Sequence, residues 1–166
     1  EIAEKYGDWA TTGKPKTRNR NIVTSLELDP GRQEKFNQKL QAKYRTIEEN
    51  EVRYEEFQTE DADYILVAYG SSSRICQKTV DLAREAGLKI GLIRPITLFP
   101  FPTKVIQKHL SHAKGFMSVE MSAGQMVEDV KLAVNGKVPV VHFGRMGGMI
   151  PSPNEVLEAM KDFMKQ

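Results

Sequence analysis

The sequence predicts an α/β fold: a three-layer αβα architecture with a mostly parallel sheet, preceded by an N-terminal arm and a long helix. From residue 61 onward, short apolar runs typical of strands buried on both faces alternate strictly with amphipathic helical patterns. Such alternation implies right-handed crossovers between parallel strands, with helices covering both faces of the sheet. Residues 1–60 do not show this alternation of strand and helix patterns. We therefore expect an N-terminal segment, 1–60, and a core domain, 61–166.

The N-terminal segment begins with a polar, irregular arm over residues 1–28, in which apolar residues near 22–28 suggest one short strand. Asp29 followed by Pro30 supplies a helix N-cap and a proline at the first helical position. Apolar residues then recur at spacings of four, four and three: Phe36, Leu40, Tyr44 and Ile47. This spacing predicts one long amphipathic helix to about residue 50, with its charged face in solvent.

The core domain contains four predicted strands and four predicted helices. The strands correspond to four apolar runs: 64–69, 88–93, 116–119 and 138–143. The helices correspond to four amphipathic stripes: 75–86, 105–110, 126–134 and 156–164. In an open parallel sheet, ligands bind beyond the carboxyl ends of the strands. The residues that directly follow each strand are therefore the candidates for function.

Composition argues against several kinds of function. The chain has 24 lysine and arginine residues against 22 aspartate and glutamate residues, so its net charge of +2 is too small for electrostatic binding of a nucleic-acid backbone. Its apolar runs are far shorter than the roughly 20 residues of a membrane span, which predicts a soluble chain. The single cysteine, Cys76, excludes an internal disulfide, a cysteine-rich zinc site and an iron–sulfur cluster held by this chain alone.

Cysteine usage and the first residues bear on location. One unpaired cysteine and the absence of a visible signal peptide after Glu1 indicate a cytoplasmic protein. A chain that starts with glutamate rather than methionine also suggests a piece of something longer.

The first candidate loop follows the first core strand and consists of small residues and one arginine: Gly70, Ser71, Ser72, Ser73 and Arg74. It leads into a helix whose free N–H groups and positive dipole end suit an anion. Its spacing matches neither a Walker loop nor the dinucleotide motif G-x-G-x-x-G. Capping of the helix by Ser72 or Ser73 is the favoured interpretation, and ligand binding is the alternative.

The second candidate loop follows the third core strand and holds four polar or small residues: Glu120, Ser122, Gly124 and Gln125. Ser122 and Gln125 have the S-x-x-Q spacing of a capping box, in which each side chain satisfies an N–H group at the other position. Glu120 needs a partner or water, because a carboxylate at the end of an apolar strand is otherwise costly. It is either a hydrogen-bonded anchor for the loop or a site residue.

The third candidate loop follows the last core strand and is rich in glycine: Gly144, Arg145, Gly147 and Gly148. The Arg145 guanidinium suits an anionic ligand or the Glu120 carboxylate, and pairing across the loops is favoured. Ser152 and Glu155 have the spacing of a second capping box before the last helix.

The sequence offers no catalytic constellation. It contains no G-x-S-x-G nucleophile elbow, no supported Ser-His-Asp set and no pair of acids in apolar surroundings. His109, His112 and His142 raise the question of a metal. Two histidines three apart, without a clear carboxylate or thiolate companion, are more often surface residues. We therefore predict neither a catalytic residue nor a metal site.

Three stretches carry a resemblance to a known family: 62–70, 91–102 and 119–126. They resemble the C-terminal domain of the alpha subunit of 2-oxoacid:ferredoxin oxidoreductases, most closely the 2-ketoisovalerate (branched-chain) type. The most specific part is Arg-Pro-Ile-Thr-Leu-Phe-Pro-Phe-Pro at 94–102, and the likeness extends to the long helix and a connector at 54–57. Ser122 and Met146 depart from the family, which usually has asparagine and often has proline at these positions.

The resemblance implies a fold like the transketolase C-terminal domain and a role in oxidative decarboxylation of a 2-oxoacid. Enzymes of this kind use thiamine diphosphate with Mg²⁺, pass electrons through iron–sulfur clusters to ferredoxin, and transfer the acyl group to coenzyme A. This chain has one cysteine and no Gly-Asp-Gly start to a diphosphate motif. Those cofactors are therefore expected on other domains or subunits, and this chain is expected to be a non-catalytic part of a multi-subunit enzyme, with no nucleic-acid or membrane partner.

Under this hypothesis the loops at 70–74, 120–125 and 144–148 face the thiamine-binding domains. The segment Leu98–Pro102 is then a contact surface, because exposed phenylalanines are costly without a partner; the alternative is that it fills the core. A competing hypothesis for the whole chain is a stand-alone nucleotide- or flavin-binding module that binds at Gly70–Arg74. A third is an interaction scaffold without a ligand.

Overall fold

The structure is a computed structural model, and it describes the following residues: 7–9, 13, 16–17, 19–22 and 24–165. The chain divides into two units, Glu1–Tyr44 and Arg45–Gln166. The described residues between 19 and 29 contain no strand, so the strand suggested near 22–28 is wrong for them, and Val23 lies outside them. A lone extended segment has no neighbour to pair its backbone groups, which explains this result.

The long helix, α1, covers Pro30–Asn50 as predicted. The Asp29 carboxylate accepts a hydrogen bond from the Arg32 N–H at 2.8 Å, which confirms the predicted N-cap. Leu40, Tyr44 and Ile47 are half-buried. None of the helix residues, all of which the structure describes, is fully buried.

The second unit contains the sheet. Its described strands are β1 Tyr54–Phe57, β2 Tyr64–Val67, β3 Ile90–Pro95, β4 Gly115–Glu120 and β5 Val140–Gly144. The remaining helices are α2 Gly70–Glu85, α3 Thr103–His109, α4 Met126–Val134 and α5 Pro153–Phe163. The strand order is β1-β3-β2-β4-β5, with β1 antiparallel to β3 and all other pairs parallel. The four predicted core strands and the mostly parallel sheet are confirmed.

The interpretation of 54–57 as a connector is wrong, because these residues form the edge strand β1. Phe57 pairs with Leu92 and packs against the core. The sheet thus begins before the boundary expected at residue 61. A four-residue strand with two glutamates lacks the apolar run that marked the other strands.

Helices cover both faces of the sheet. Leu66, Met117 and Val119 face α2 and α5, whereas Ile65, Val67 and Phe116 face α3 and α4. Because successive strand residues point to opposite faces, a strand with a core on both sides must be apolar throughout. This packing confirms the three-layer αβα prediction.

The strand order creates one point where the connections change direction. From β2 the chain moves to β3 on one side, and then returns across β2 to β4 on the other side. In sheets of this kind the crevice between the carboxyl ends of two such strands is the usual ligand position. The topology therefore places the carboxyl ends of β2 and β4 on either side of this crevice. Gly70 lies just after the end of β2, and Glu120 is the last residue of β4.

The capping box predicted before the last helix is confirmed. Ser152 Oγ accepts from the Glu155 N–H at 3.2 Å, and Glu155 Oε2 accepts from the Ser152 N–H at 2.7 Å. We expect Ser152→Ala to lower the free energy of unfolding by about 1 kcal/mol, since one N–H group of α5 loses its acceptor. Urea unfolding measures this change. Ser152→Thr keeps the hydroxyl, and an equal loss in that variant would contradict the capping role.

Candidate functional site

Glu120, the last residue of β4, is the most highly connected polar group at the carboxyl edge of the sheet. Its side chain is only 3% exposed. Five hydrogen bonds of 2.9–3.0 Å reach its carboxylate, from two hydroxyls and three backbone N–H groups: Ser118, Ser122, Gln125, Met126 and Val127. The carboxylate therefore holds the loop and the first turn of α4 to the end of the strand.

The ionisation of Glu120 follows from these contacts. Burial opposes the charged form and favours a higher pKa, but the N–H groups of Gln125, Met126 and Val127, together with the Ser118 hydroxyl, hold the pKa of Glu120 below its ordinary value. A charged carboxylate that accepts five hydrogen bonds is suited to holding its loop in place. Of the two interpretations of Glu120, the structure supports the anchor.

The capping box expected between Ser122 and Gln125 is wrong. Helix α4 begins at Met126, and Glu120 accepts the Gln125 N–H that a capping box would have directed to Ser122. Ser122 instead donates to Glu120 and accepts from the Gly124 N–H at 3.2 Å. A charged acceptor forms stronger hydrogen bonds than a hydroxyl, and this explains why the carboxylate replaces the local motif.

The loop after β2 also differs from its prediction. Helix α2 begins at Gly70, whose φ of +56° suits glycine, so Ser72 and Ser73 lie inside the first turn and are buried. Ser73 Oγ donates to the Gly70 carbonyl at 2.7 Å. Within the described residues, no side chain caps the start of α2. Capping by Ser72 or Ser73 is therefore wrong, while Ser71 and Arg74 are exposed.

Arg145 pairs with a different carboxylate from the one predicted. Its Nη1 lies 2.8 Å from Glu155 Oε1, while its backbone N–H donates to the Glu120 carbonyl at 3.2 Å. Pairing with the Glu120 carboxylate is wrong because the five donors above already occupy that group. Gly144 is needed where β5 passes the second loop, since a Cβ there would lie 2.2 Å from the Ser122 carbonyl oxygen. Gly147 and Gly148 adopt positive φ in the following turn.

The three histidines lie in different environments. His109 is fully buried in α3 and contacts Glu56 on β1 through Nε2, so the expectation of a surface residue is wrong for it. His112 Nε2 lies 3.1 Å from the Thr59 carbonyl oxygen, and His142 Nε2 lies 3.8 Å from Glu120 Oε1. The described residues contain no group of three or more histidine, cysteine, aspartate or glutamate side chains suited to a metal ion.

Exposed apolar side chains follow three neighbouring strands at the same edge. We call this set the apolar edge; it consists of Tyr69 after β2, Met121 after β4, and Met146, Met149 and Ile150 after β5. Their exposed fractions range from 38% to 61%. Sequence reasoning missed this set, although methionines and an isoleucine within a glycine-rich loop are a visible signal. An edge with internally paired polar groups and exposed apolar ones suits contact with another surface.

The segment Leu98–Pro102 divides between the two roles considered for it. Phe101 packs against the core beneath α3 and α4, and Pro100 and Pro102 are buried. Leu98 and Phe99 are 46% and 68% exposed. The segment lines a groove of about 540 Å³ together with Val52 and Tyr54.

Comparison with known sequences identifies the family. Residues 62–156 match the family model described as pyruvate:ferredoxin oxidoreductase core domain II. Over 154 residues the chain is 49% identical to ketoisovalerate oxidoreductase subunit VorB of Methanothermobacter marburgensis. This alignment covers 93% of this chain and 43% of that protein. Over 99 residues it is 34% identical to 2-oxoglutarate synthase subunit KorA of the same organism, covering 60% of this chain and 26% of that protein.

Solved structures show the same fold. The 2-oxoglutarate:ferredoxin oxidoreductase from Magnetococcus marinus superposes with a TM-score of 0.70 at 17% identity, covering 90% of this chain and 28% of that chain. A split-gene transketolase superposes with a TM-score of 0.58 at 14% identity, covering 68% of this chain and 41% of that chain. At such identities the likeness concerns the fold alone. It confirms the transketolase-like architecture.

The chain spans 43% of the length of two curated relatives that it matches over 93% of its own length. The family model nevertheless covers more than half of the chain, and the resemblance to 2-oxoacid:ferredoxin oxidoreductases is confirmed. None of the described helices is both long enough and apolar enough to cross a membrane. The chain belongs to the family of the pyruvate:ferredoxin oxidoreductase core domain II.

Proposed function

We propose that this chain is a non-catalytic, interface-forming part of the alpha subunit of a cytoplasmic 2-oxoacid:ferredoxin oxidoreductase, with 2-ketoisovalerate as the favoured substrate. The whole enzyme would oxidatively decarboxylate the 2-oxoacid, form an acyl-coenzyme A and reduce ferredoxin. The 49% identity to a ketoisovalerate oxidoreductase subunit supports the substrate class. The residues of this chain support the assignment of catalysis to other domains or subunits.

The observation that carries the proposal is the contrast at the carboxyl edge. Glu120 and Arg145 are engaged by partners within the chain, whereas the apolar edge is exposed. Interfaces between subunits have apolar centres enriched in methionine and aromatic residues and depleted in charge. An edge of this composition is suited to bury itself against the thiamine-binding domains, with the loops at 70–74, 120–125 and 144–148 facing them.

The residues of this chain favour placing the cofactors of the family on other domains or subunits. The sequence has one cysteine, Cys76, which is fully buried, and burial raises the pKa of its thiol. An iron–sulfur cluster needs several thiolates, and a diphosphate-bound Mg²⁺ needs free oxygen ligands. We therefore assign thiamine diphosphate, Mg²⁺ and the clusters to other domains or subunits, where ferredoxin and coenzyme A would also act.

Assembly tests the proposal. The polypeptide that contains this chain is co-expressed with thiamine-binding and iron–sulfur subunits, and the recovered complex is quantified. We expect the double variant Met146→Glu/Met149→Glu to reduce complex recovery at least about tenfold, since charges would enter an apolar interface. The ketoisovalerate-dependent reduction of ferredoxin should fall in parallel.

The control is Leu132→Glu, which places one glutamate on an apolar position that is 77% exposed, lies in the last turn of α4 and is not part of the apolar edge. This variant should assemble within about twofold of the unmodified protein. Equal recovery of the complex with the double variant, at an unchanged melting temperature, would refute the interface role.

A nucleotide-binding module is the second candidate function, because the start of α2 lies at the topological switch point without a side-chain cap among the described residues. Thermal shift with thiamine diphosphate, NAD, FMN, ATP and coenzyme A separates the two candidates. Stabilisation of several degrees by one nucleotide would favour the module. Unchanged melting temperatures would favour the interface role.

A further inference from the structure

A small pocket lies beside the first two turns of α2, apart from the apolar edge. Its volume is about 210 Å³. Helix α2 and the paired strands β1 and β3 supply its functional lining: Ser73, Arg74, Gln77, Glu55, Leu92 and Arg94. Glu55 and Arg94 are direct cross-strand partners, and Leu92 lies two residues before Arg94 on the same face of β3. The pocket thus joins the antiparallel edge of the sheet to the start of α2.

One of the two arginines in this pocket has no ionic partner among the described residues. Arg94 Nη1 donates to Glu55 Oε2 at 2.8 Å, and Arg94 Nε is buried without a hydrogen-bond partner among the described residues. Arg74 is exposed and forms no hydrogen bond or ion pair with any described residue. Glu56 also lines the pocket, but its carboxylate contacts Lys108 and His109. Arg74 therefore lines the pocket without a carboxylate partner.

The donors suit a tetrahedral anion. We propose that this pocket binds the phosphate group of a small phosphorylated ligand. A phosphate presents oxygens in several directions and can accept from Arg74 and Arg94, which approach from α2 and β3, and from the Gln77 amide. A planar carboxylate is less suited, since Glu55 already supplies the chain's own carboxylate to Arg94.

The volume limits what can enter. Sites for whole drug-sized ligands occupy about 300–1,000 Å³, and this pocket is smaller. It therefore accommodates the phosphate end of a ligand, with the remainder in solvent or against a neighbouring surface. The inference does not depend on the enzyme assignment, because it concerns donors within this chain.

Titration with inorganic phosphate, followed by backbone amide chemical shifts of the isotope-labelled chain, tests the inference. We expect saturable shifts at residues 73–77 and 92–94. Glycerol 3-phosphate should compete for the same residues, whereas acetate at equal ionic strength should bind at least about fivefold more weakly. Arg74→Gln and Arg94→Gln should each weaken phosphate binding at least about fivefold, since each removes a charged donor.

Lys78→Gln is the matched control, because it removes one positive charge from the exposed surface of α2 outside the pocket. It should change phosphate affinity less than about twofold, and melting curves confirm that Arg74→Gln remains folded. Shifts that do not saturate, equal weakening by Lys78→Gln, or acetate binding as tight as phosphate would overturn the inference. None of these results depends on assembly with other subunits, so they stand apart from the test of the proposed function.

Discussion

Glu120→Ala should lower the free energy of unfolding by about 3–5 kcal/mol. The variant leaves the N–H groups of Met126 and Val127 buried without their acceptor, and the Ser118 hydroxyl loses its partner as well. Each unsatisfied buried polar group costs about 1–3 kcal/mol. A shallow cavity at the end of β4 adds to the loss. Urea unfolding followed by circular dichroism measures the difference.

Two companion variants isolate the role of the carboxylate. Glu120→Gln preserves the shape of the side chain but places an amide nitrogen against backbone N–H donors. We therefore expect it to keep less than half of the stability that Glu120→Ala loses. Glu128→Ala removes an exposed glutamate from the first turn of the same helix, where its one ion pair within the described part of the chain is with Lys131, and should cost less than about 1 kcal/mol. Similar losses in Glu120→Ala and Glu128→Ala would show that Glu120 is not an anchor.

The same contacts predict a pH dependence. Because the folded pKa of Glu120 lies below its ordinary value of 4.5, the folded state favours the charged form more than the unfolded state does. The stabilisation is therefore fully present above about pH 4.5, and it is lost as the pH falls through the lower, folded value. The free energies of unfolding of the unmodified protein and of Glu120→Ala should converge as the pH falls from 7 to 3. A difference between the two that does not change with pH would contradict this linkage.

The elements that the sequence predicted correctly share a local signal. Strands β2 to β5 are apolar on both faces because helices cover both sides, and the pattern therefore exists within each segment alone. Strand β1 has no such signal. Its four residues become a strand only by pairing with β3, about forty residues further along the chain, and this contact is invisible in a local window.

The sequence predicted that the three candidate loops follow the strand ends, but it did not predict their contacts. Ser122 and Gln125 carry the spacing of a capping box, and spacing alone does not reveal that Glu120, five residues before Gln125, accepts the Gln125 N–H instead. Arg145 similarly pairs with Glu155, the residue completing the capping box of α5. In both cases the sequence identifies donors and acceptors, while the backbone path decides which of them meet.

Glu56→Ala is the second substitution with a large expected effect, about 2–4 kcal/mol in the free energy of unfolding. The Glu56 carboxylate contacts His109 Nε2 and accepts from Thr59 Oγ1 at 3.2 Å. His109 is fully buried, and its Nδ1 has no partner among the described residues, so the variant would leave the ring without any polar contact there. Removing one partner of a buried polar pair costs more than the pair itself contributes.

The pKa of Glu56 also indicates that this carboxylate stabilises the folded state. Burial favours a higher pKa, but the contact with His109 and the Lys108 ammonium keep the pKa of Glu56 below its ordinary value of 4.5. The folded state therefore gains stability from this carboxylate above about pH 4.5 and loses it as the pH falls through the lower, folded value. Glu56→Gln should show a flatter decline of stability in that range.

Amide hydrogen exchange distinguishes this pair from an ordinary surface ion pair. Glu56 fastens the edge strand β1 to helix α3, so in Glu56→Ala the amides of β1 that pair with β3 should exchange at least about tenfold faster, while those of β2 and β4 change in step with global stability. Glu60→Ala is the control, because Glu60 is exposed and, among the described residues, forms its ion pair with Lys108 alone; such pairs contribute about 0–1 kcal/mol. If Glu60→Ala loosened β1 as much as Glu56→Ala, the Lys108 charge rather than the buried His109 contact would hold the edge strand.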